Sequence, residues 1–111
     1  MTLSELQTIL AEIPQDIPVW RYCALKDSLP RVVWNETSMD QTYSSNEADD
    51  LRIRVVVELI TTPETAPRFL DIIRLLRLHK IPFTCVCGYD DDNKVVSYEF
   101  TIMIDEAFPD G

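Results

Sequence analysis

The sequence predicts an α+β fold, a mostly antiparallel sheet with two helices packed on one side, in the order α-β-β-β-α-β-β. Three stretches carry this prediction. Apolar residues alternate over 51–60, as in a half-buried strand (Leu51, Ile53, Val55, Val57, Leu59). A stripe at helical spacing follows, with arginines on the opposite side (Phe69, Ile72, Ile73, Leu76). Two further strands, over 83–89 and 94–104, flank a turn cluster and predict an antiparallel hairpin.

The ends of both helices have sequence signals. Thr2 and Glu5 form a capping-box pattern at the start of a short helix over about 3–12. Thr62 before Pro63 suits an N-cap and first turn for the long helix, and Pro82 predicts its end near Lys80. Two short strands, over 19–23 and 31–35, are predicted between the helices.

Residues 36–50 are mostly Asn, Thr, Ser, Asp and Gln. They predict a loop of roughly 14 residues, a length that is usually functional or mobile in a compact domain. A two-stranded extension, with residues 41–43 in its outer part, is the alternative. Residues 105–111 read as a short acidic tail. Together, residues 1–111 are expected to form a single domain.

Charge and composition restrict the partners. The chain of 111 residues has 10 basic and 19 acidic residues, a net charge of −9. Such a surface repels phosphate backbones, so we expect no direct nucleic-acid binding. No apolar run approaches the roughly 20 residues of a membrane helix. Cys85 and Cys87 lie two apart on a strand, where a disulfide between them would be strained.

The residues that could carry chemistry have simpler interpretations. His79 falls at the end of the long helix, which predicts a capping or surface role. Cys85 and Cys87 could take only Cys23 and His79 as further ligands, at a spacing that fits no zinc motif. Packing within a buried strand is therefore predicted for them. Residues 90–93 lack the calcium-loop pattern and predict a solvated turn. We expect no enzyme, no metal and no cofactor.

Several short elements occur in a recognisable order: residues 17–22, a Leu-Pro before a strand at 29–34, Asn-x-Ala-Asp at 46–49, acidic-Leu-x-Thr at 58–61, and a final strand over 96–104. In this order they resemble the tail-completion and tail-terminator proteins of long-tailed, siphovirus-like bacteriophages and prophages. The resemblance covers about residues 3 to 104. The family more often has tyrosine in place of Ile60 and an aromatic or aliphatic residue in place of Arg31.

The resemblance implies a structural virion protein without cofactor or reaction. Such proteins form a ring, typically of six subunits, at the head-proximal end of the tail tube. They stop tube growth and join the tail to the head. The implied partners are further copies of the chain, the tail tube protein and the head-completion (connector) proteins. The implied location is the virion, after synthesis in the host cytoplasm.

The candidate subunit-interface residues lie in and beside residues 36–50. Tyr43 is the candidate aromatic anchor, accompanied by Asn46, Asp49 and Asp50. Arg52 and Arg54, on the polar face of the central strand, are candidates for meeting acids of the next subunit. Solvation or pairing within the chain is equally open for them. Deleting residues 38–47 is expected to abolish ring assembly and spare the fold.

Two other functions compete with the ring. The net charge of −9 suits a monomeric acidic binding module, an adaptor or inhibitor of a basic or nucleic-acid-binding protein. Such a module would not self-associate. An enzyme using Cys85, Cys87 or His79 would need an accessible thiol with a depressed pKa.

Overall fold

A computed structural model describes residues 1–44 and 47–107. Over that part the chain forms two α-helices, α1 (Leu3–Leu10) and α2 (Phe69–Leu78), and a five-stranded sheet. The strands are β1 (Val19–Arg21), β2 (Arg31–Ser44), β3 (Glu47–Thr61), β4 (Thr84–Asp90) and β5 (Val95–Ala107). The predicted α+β class and the order of the elements are confirmed.

The strands lie in the order β1-β2-β3-β5-β4. β1 pairs with β2 in parallel, and the other three pairings are antiparallel. The predicted hairpin of the last two strands is confirmed. β3 lies at the centre, and its alternation therefore sets which side of the sheet is buried.

One face of the sheet carries the core. Every second residue of β3 from Ile53 to Leu59 is at most 1% exposed. Its cross-strand partners on β5 are buried as well, and both helices add leucines and isoleucines to the same cluster (Phe100, Ile102, Ile104; Leu6, Leu10, Ile72, Leu76). We call this the covered face and the opposite side the open face. Neither α1 nor α2 packs on the open face.

The start of α1 agrees with its sequence signal. Thr2 is the N-cap, and its Oγ1 accepts a hydrogen bond of 3.1 Å from the backbone N–H of Glu5. The helix ends at Leu10, two residues before the predicted limit.

The predicted start of α2 is wrong. The helix begins at Phe69, after a 3₁₀ turn over Ala66–Arg68. Pro67 explains the difference. A helix beginning at Pro63 would place Pro67 in its interior, where the ring clashes with the carbonyl four residues earlier and no N–H is available. Thr62 instead pairs with Thr65, whose Oγ1 accepts from the Thr62 N–H at 3.1 Å.

The end of α2 is a tight cap. The C-cap is His79, and Lys80 takes a left-handed conformation with φ of 57°. The N–H of Ile81 donates to the Leu76 carbonyl at 2.8 Å, and that of Lys80 donates to the Arg77 carbonyl at 3.0 Å. This is the Schellman arrangement. The helix stops two residues before the predicted Lys80.

The loop predicted over residues 36–50 is wrong wherever this stretch is described. β2 continues to Ser44 and β3 starts at Glu47, with paired residues along both strands. The alternative, a two-stranded extension, describes residues 42–44 and 47–49, whereas residues 50–54 also pair with β5. We call residues 38–44 and 47–54 the arm. β2 has two register shifts there, between Glu36 and Ser38 and between Gln41 and Tyr43.

The predicted acidic tail is also shorter than expected. β5 runs to Ala107, which pairs with Asp50 of the arm. Residues 105–107 are therefore strand, and residues 108–111 lie outside the described residues.

Candidate assembly surfaces

The predicted interface residues of the arm occupy strands. Tyr43 lies opposite Ala48, and Asp50 lies opposite Ala107. Asp49 belongs to β3. Asn46 lies outside the described residues. The backbone thus places Tyr43, Asp49 and Asp50 on one hairpin, at the end of the sheet beyond the residues that form the core.

Arg52 and Arg54 lie where the arm joins the body. Both are exposed, and the register puts them on the open face. Arg52 Nε lies 3.4 Å from Asp105 Oδ1, so pairing within the chain, one of the two alternatives, occurs for Arg52. The backbone carbonyl of Arg54 accepts a hydrogen bond of 3.3 Å from Thr37 Oγ1. The exposed ion pair between Arg52 and Asp105 contributes little stability, so the Arg52 side chain can exchange Asp105 for another partner.

A single row of side chains crosses all five strands on the open face. In strand order it consists of Trp20, Val33, Glu58, Glu99 and Val86. We call it the acidic row. Glu58 and Glu99 are directly opposite each other, an unfavourable arrangement for like charges. Partial burial and the neighbouring Glu99 raise the pKa of Glu58, and Arg31 opposes this effect. Val86 is 66% exposed.

Sequence reasoning did not find the acidic row. Glu58 and Glu99 each stood on the polar side of a predicted strand, but their separation of 41 positions hid the pairing. The signal was present in the two alternations, and only the register of β3 against β5 brings the carboxylates together.

The outer side of α2 carries a second mixed surface. Its exposed residues recur at i, i+4, i+7 and i+8 (Leu70, Arg74, Arg77, Leu78). We call it the α2 stripe. Leu70 is 39% and Leu78 is 72% exposed. Arg74 Nη1 lies 3.5 Å from Asp71 Oδ1, one turn away. The stripe therefore combines two exposed arginines with two exposed leucines.

The short strand β1 is held by a charged cluster. The guanidinium carbon of Arg21 lies 4.6 Å from the ring centroid of Trp34, and Arg21 forms an ion pair with Glu36. Tyr22 donates its hydroxyl proton to Glu36 Oε2 at 2.6 Å. The Tyr22 hydroxyl, together with Arg21, lowers the pKa of Glu36. These contacts fasten the edge of the sheet.

The cysteines are exposed, so the predicted burial of Cys85 and Cys87 is wrong. β4 is an edge strand whose residues are exposed along its whole length. Partial desolvation and the charge of Cys87 raise the pKa of Cys85 to about 11. A raised pKa suppresses the nucleophilic thiolate. The described residues contain no group of three or more His, Cys, Asp or Glu side chains suited to a metal ion.

His79 lies at the predicted helix end and bridges the helices. Its Nε2 lies 2.5 Å from Glu12 Oε2, just after α1. A second bridge uses Arg68, whose Nη1 lies 2.6 Å from Asp16 Oδ2 and whose Nε lies 2.7 Å from Asp71 Oδ2. The hydrogen bond from Arg68 lowers the pKa of Asp16. Both contacts brace the helix layer.

Searches of known proteins give no relative to place beside these surfaces: no family model and no curated protein matches the chain. Within the described residues, neither helix has the length and apolar character to cross a membrane.

Proposed function

We propose that the protein is a structural virion protein of a bacteriophage, a tail terminator or completion protein. In this role it forms a ring, of six subunits by the resemblance, at the head-proximal end of the tail tube. The ring ends tube growth and contacts the tail tube protein on one side and the head-completion (connector) proteins on the other. It needs no cofactor and catalyses no reaction.

The observation that carries the proposal is the arm. It extends the hairpin of β2 and β3 beyond the helix layer. Met39 pairs with Ile53, which is buried, yet Met39 itself is 53% exposed. Residues 50–54 of the arm also pair with β5, and only residues 42–44 and 47–49 form a hairpin of two strands. Such a two-stranded tip is poorly stabilised by itself and is well suited to packing against another subunit. It offers one subunit a surface unlike the surface that receives it, as a closed ring requires.

The edge of β4, the open face and the Cys85 thiol favour a role in assembly over a role in catalysis. β4 presents an exposed edge with unpaired backbone groups along one side, which is a template for contact with another chain. The open face presents apolar and charged side chains in one plane. The thiol that an enzyme would use has a raised pKa at Cys85.

Shortening the arm tests the proposal. Gln41 and Leu51 are paired, so residues 42–50 can be replaced by Asn-Gly, a two-residue turn that suits a hairpin. The buried core residues, among those whose burial the structure describes, lie outside this segment. This replacement is better matched to the strand register than the deletion of 38–47, which would remove the partner of Arg54. We expect a folded protein that no longer assembles, measured by light scattering after size exclusion.

The other hairpin provides a matched control. Asp90 and Val95 are paired, so residues 91–94 can likewise be replaced by Asn-Gly. This variant is expected to assemble as the unaltered chain does. If the arm-shortened protein still forms rings, the arm is not the interface.

Addition of purified tail tubes separates a terminator from other ring proteins. We expect electron microscopy to show one end of each tube capped and its further growth stopped. Binding along the tube wall, or no binding, would contradict the terminator role.

A monomeric acidic binding module is the second candidate, favoured by the net charge of −9. It predicts a single-chain mass at every concentration and tight binding to a basic protein. A discrete mass near six subunits would exclude it.

A further inference from the structure

The α2 stripe and the acidic row lie on opposite sides of the same molecule. α2 covers one face of the sheet and turns its stripe outward, whereas the acidic row belongs to the open face. One chain therefore cannot bring them together. Two copies of the chain can, with the helix layer of one copy against the open face of the next.

The two surfaces have the same order of chemical groups. Along α2 the order is Leu70, Arg74, Arg77 and Leu78, apolar–basic–basic–apolar. Across the sheet from β2 to β4 the order is Val33, Glu58, Glu99 and Val86, apolar–acidic–acidic–apolar. In sequence the two arginines lie between the two leucines, and across the sheet the two glutamates lie between the two valines, so the charges have opposite sign. Arg77 and Leu78 are neighbours, about 1.5 Å apart along the helix axis.

The two surfaces also have similar dimensions. Eight residues of helix separate Leu70 from Leu78, about 12 Å at 1.5 Å per residue. Three strand spacings separate Val33 from Val86, about 14 Å. Arg74 and Arg77 are one turn apart, roughly 5–6 Å between Cβ atoms. Glu58 and Glu99, directly opposite on neighbouring strands, have Cβ atoms about 5 Å apart.

From this match we infer that the α2 stripe of one copy docks across the acidic row of another, with the helix axis crossing the strands. Arg74 and Arg77 pair with Glu58 and Glu99, and Leu70 and Leu78 cover Val33 and Val86. The helix can cross the strands in either direction, which exchanges the partners within each pair. The occupant of the open face is thus a second copy of this chain. The contact is head-to-tail, and it rests on the ring assembly proposed above.

The charges around this contact favour it. Two carboxylates held side by side on Glu58 and Glu99 repel each other until a cation comes between them. Among the described groups that shift the pKa of Glu58, Arg31 is the one cation, and it lowers that pKa. On the other surface, Asp71 faces Arg74 and can release it, since Asp71 also pairs with Arg68. In the docked contact each glutamate of the acidic row has an arginine partner, and each arginine of the α2 stripe has a glutamate partner.

Two charge-reversal variants and their mixture form the test. R74E/R77E alters only the stripe, and E58K/E99K alters only the acidic row. Each variant alone is expected to associate at least about a hundredfold more weakly than the unaltered chain, because like charges would meet in every contact. An equimolar mixture is expected to recover association, because both kinds of mixed contact then join opposite charges. A six-membered ring closes with three copies of each.

The control is K26E/K94E, which changes the net charge as much as R74E/R77E does, at two exposed lysines outside both surfaces. It is expected to assemble normally. Light scattering after size exclusion, over a concentration series, measures these four samples and the unaltered chain. Far-UV circular dichroism verifies folding. Because Glu58 is half-buried, E99K alone replaces the double variant if the latter unfolds.

Each outcome decides something. Normal assembly of either reversal variant overturns the contact, as does a mixture that stays dissociated. In both cases a ring of the unaltered chain would leave the proposed function standing. The unaltered chain could instead form open filaments or dimers that each reversal weakens and mixing restores. That result would support the contact and contradict the proposed ring. A monomer at all concentrations would remove both.

Discussion

The two faces of the sheet use the same strands for different purposes. On β3, Val57 is fully buried under the helices, while the next residue, Val56, is only partly covered on the open face. The covered face also holds Glu36, with a lowered pKa, and the open face holds Glu58, with a raised one. The covered face therefore holds the buried core, and the open face is the one on which we propose the contact between copies.

The largest effect is expected from the two adjacent valines. Val57→Ala leaves a cavity in the core and should lower the free energy of unfolding by about 2 kcal/mol. Val56→Ala, the same chemical change one residue away, should lower it by less than about 1 kcal/mol. Denaturant unfolding of both variants measures the difference. Equal losses would mean that the open face is buried in the isolated chain.

Next in size is the glutamate of the covered face. Glu36→Gln removes the charge that Arg21 and Tyr22 contact and should cost about 1.5 kcal/mol at neutral pH. The pKa of Glu36 is lowered from 4.5 in the folded state, so its contribution is present above pH 4.5 and is lost as the pH falls through the lowered value. Urea unfolding from pH 7 to pH 3 should show the variant and the unaltered chain converging in acid. A constant gap would contradict this assignment.

The glutamate of the open face should behave in the opposite way. Glu58→Gln removes repulsion from Glu99 and should stabilise the single chain by about 0.5 kcal/mol at pH 7. The pKa of Glu58 is raised from 4.5, so the unaltered chain loses stability as the pH rises above 4.5 and through the raised value. The gain in the variant should disappear below pH 4. A destabilised variant at pH 7 would show that Glu58 has a favourable partner in the single chain.

The smallest effect is expected at Gly88, on the open-face side of β4. A Cβ added there would lie 3.3 Å from Ser97 Oγ, and that hydroxyl can rotate away. Its φ is not positive, so no special backbone conformation is lost. Gly88→Ala should change the free energy of unfolding by less than about 0.5 kcal/mol. A thermal melt that shifts by more than a few degrees would show that the open face is tightly packed around Gly88.

Much of the body could be predicted because its period is regular. The alternation of β3 and β5 marked the covered face correctly, and Thr2 marked the start of α1. The start of α2 was missed because the prediction followed the Thr62-Pro63 signal and left out Pro67, which rules out an earlier helix. The register that aligns Glu58 with Glu99 depends on distant strands and is not visible in a local pattern.

The arm was missed for a different physical reason. Residues 38–41 of β2 are exposed, so no apolar alternation is required there, and Ser, Asp and Gln fill positions that local rules assign to loops. The register shift between Glu36 and Ser38 also breaks the period of two just where β2 leaves the core. The burial of Cys85 and Cys87 was mispredicted because a strand at the edge of a sheet has the same local sequence pattern as a central one.

That register shift makes Thr37 an extra residue between two regular ladders. Glu36 pairs with Val55 and Ser38 with the adjacent Arg54, so removing Thr37 would retain every pairing on both sides. A bulge of this kind bends and twists the strand that contains it. Loss or gain of one residue here would therefore change the bend of β2 where it leaves the core. In the ring that we propose, a change of length at this single position would alter the angle at which the outer part of the arm meets the next subunit.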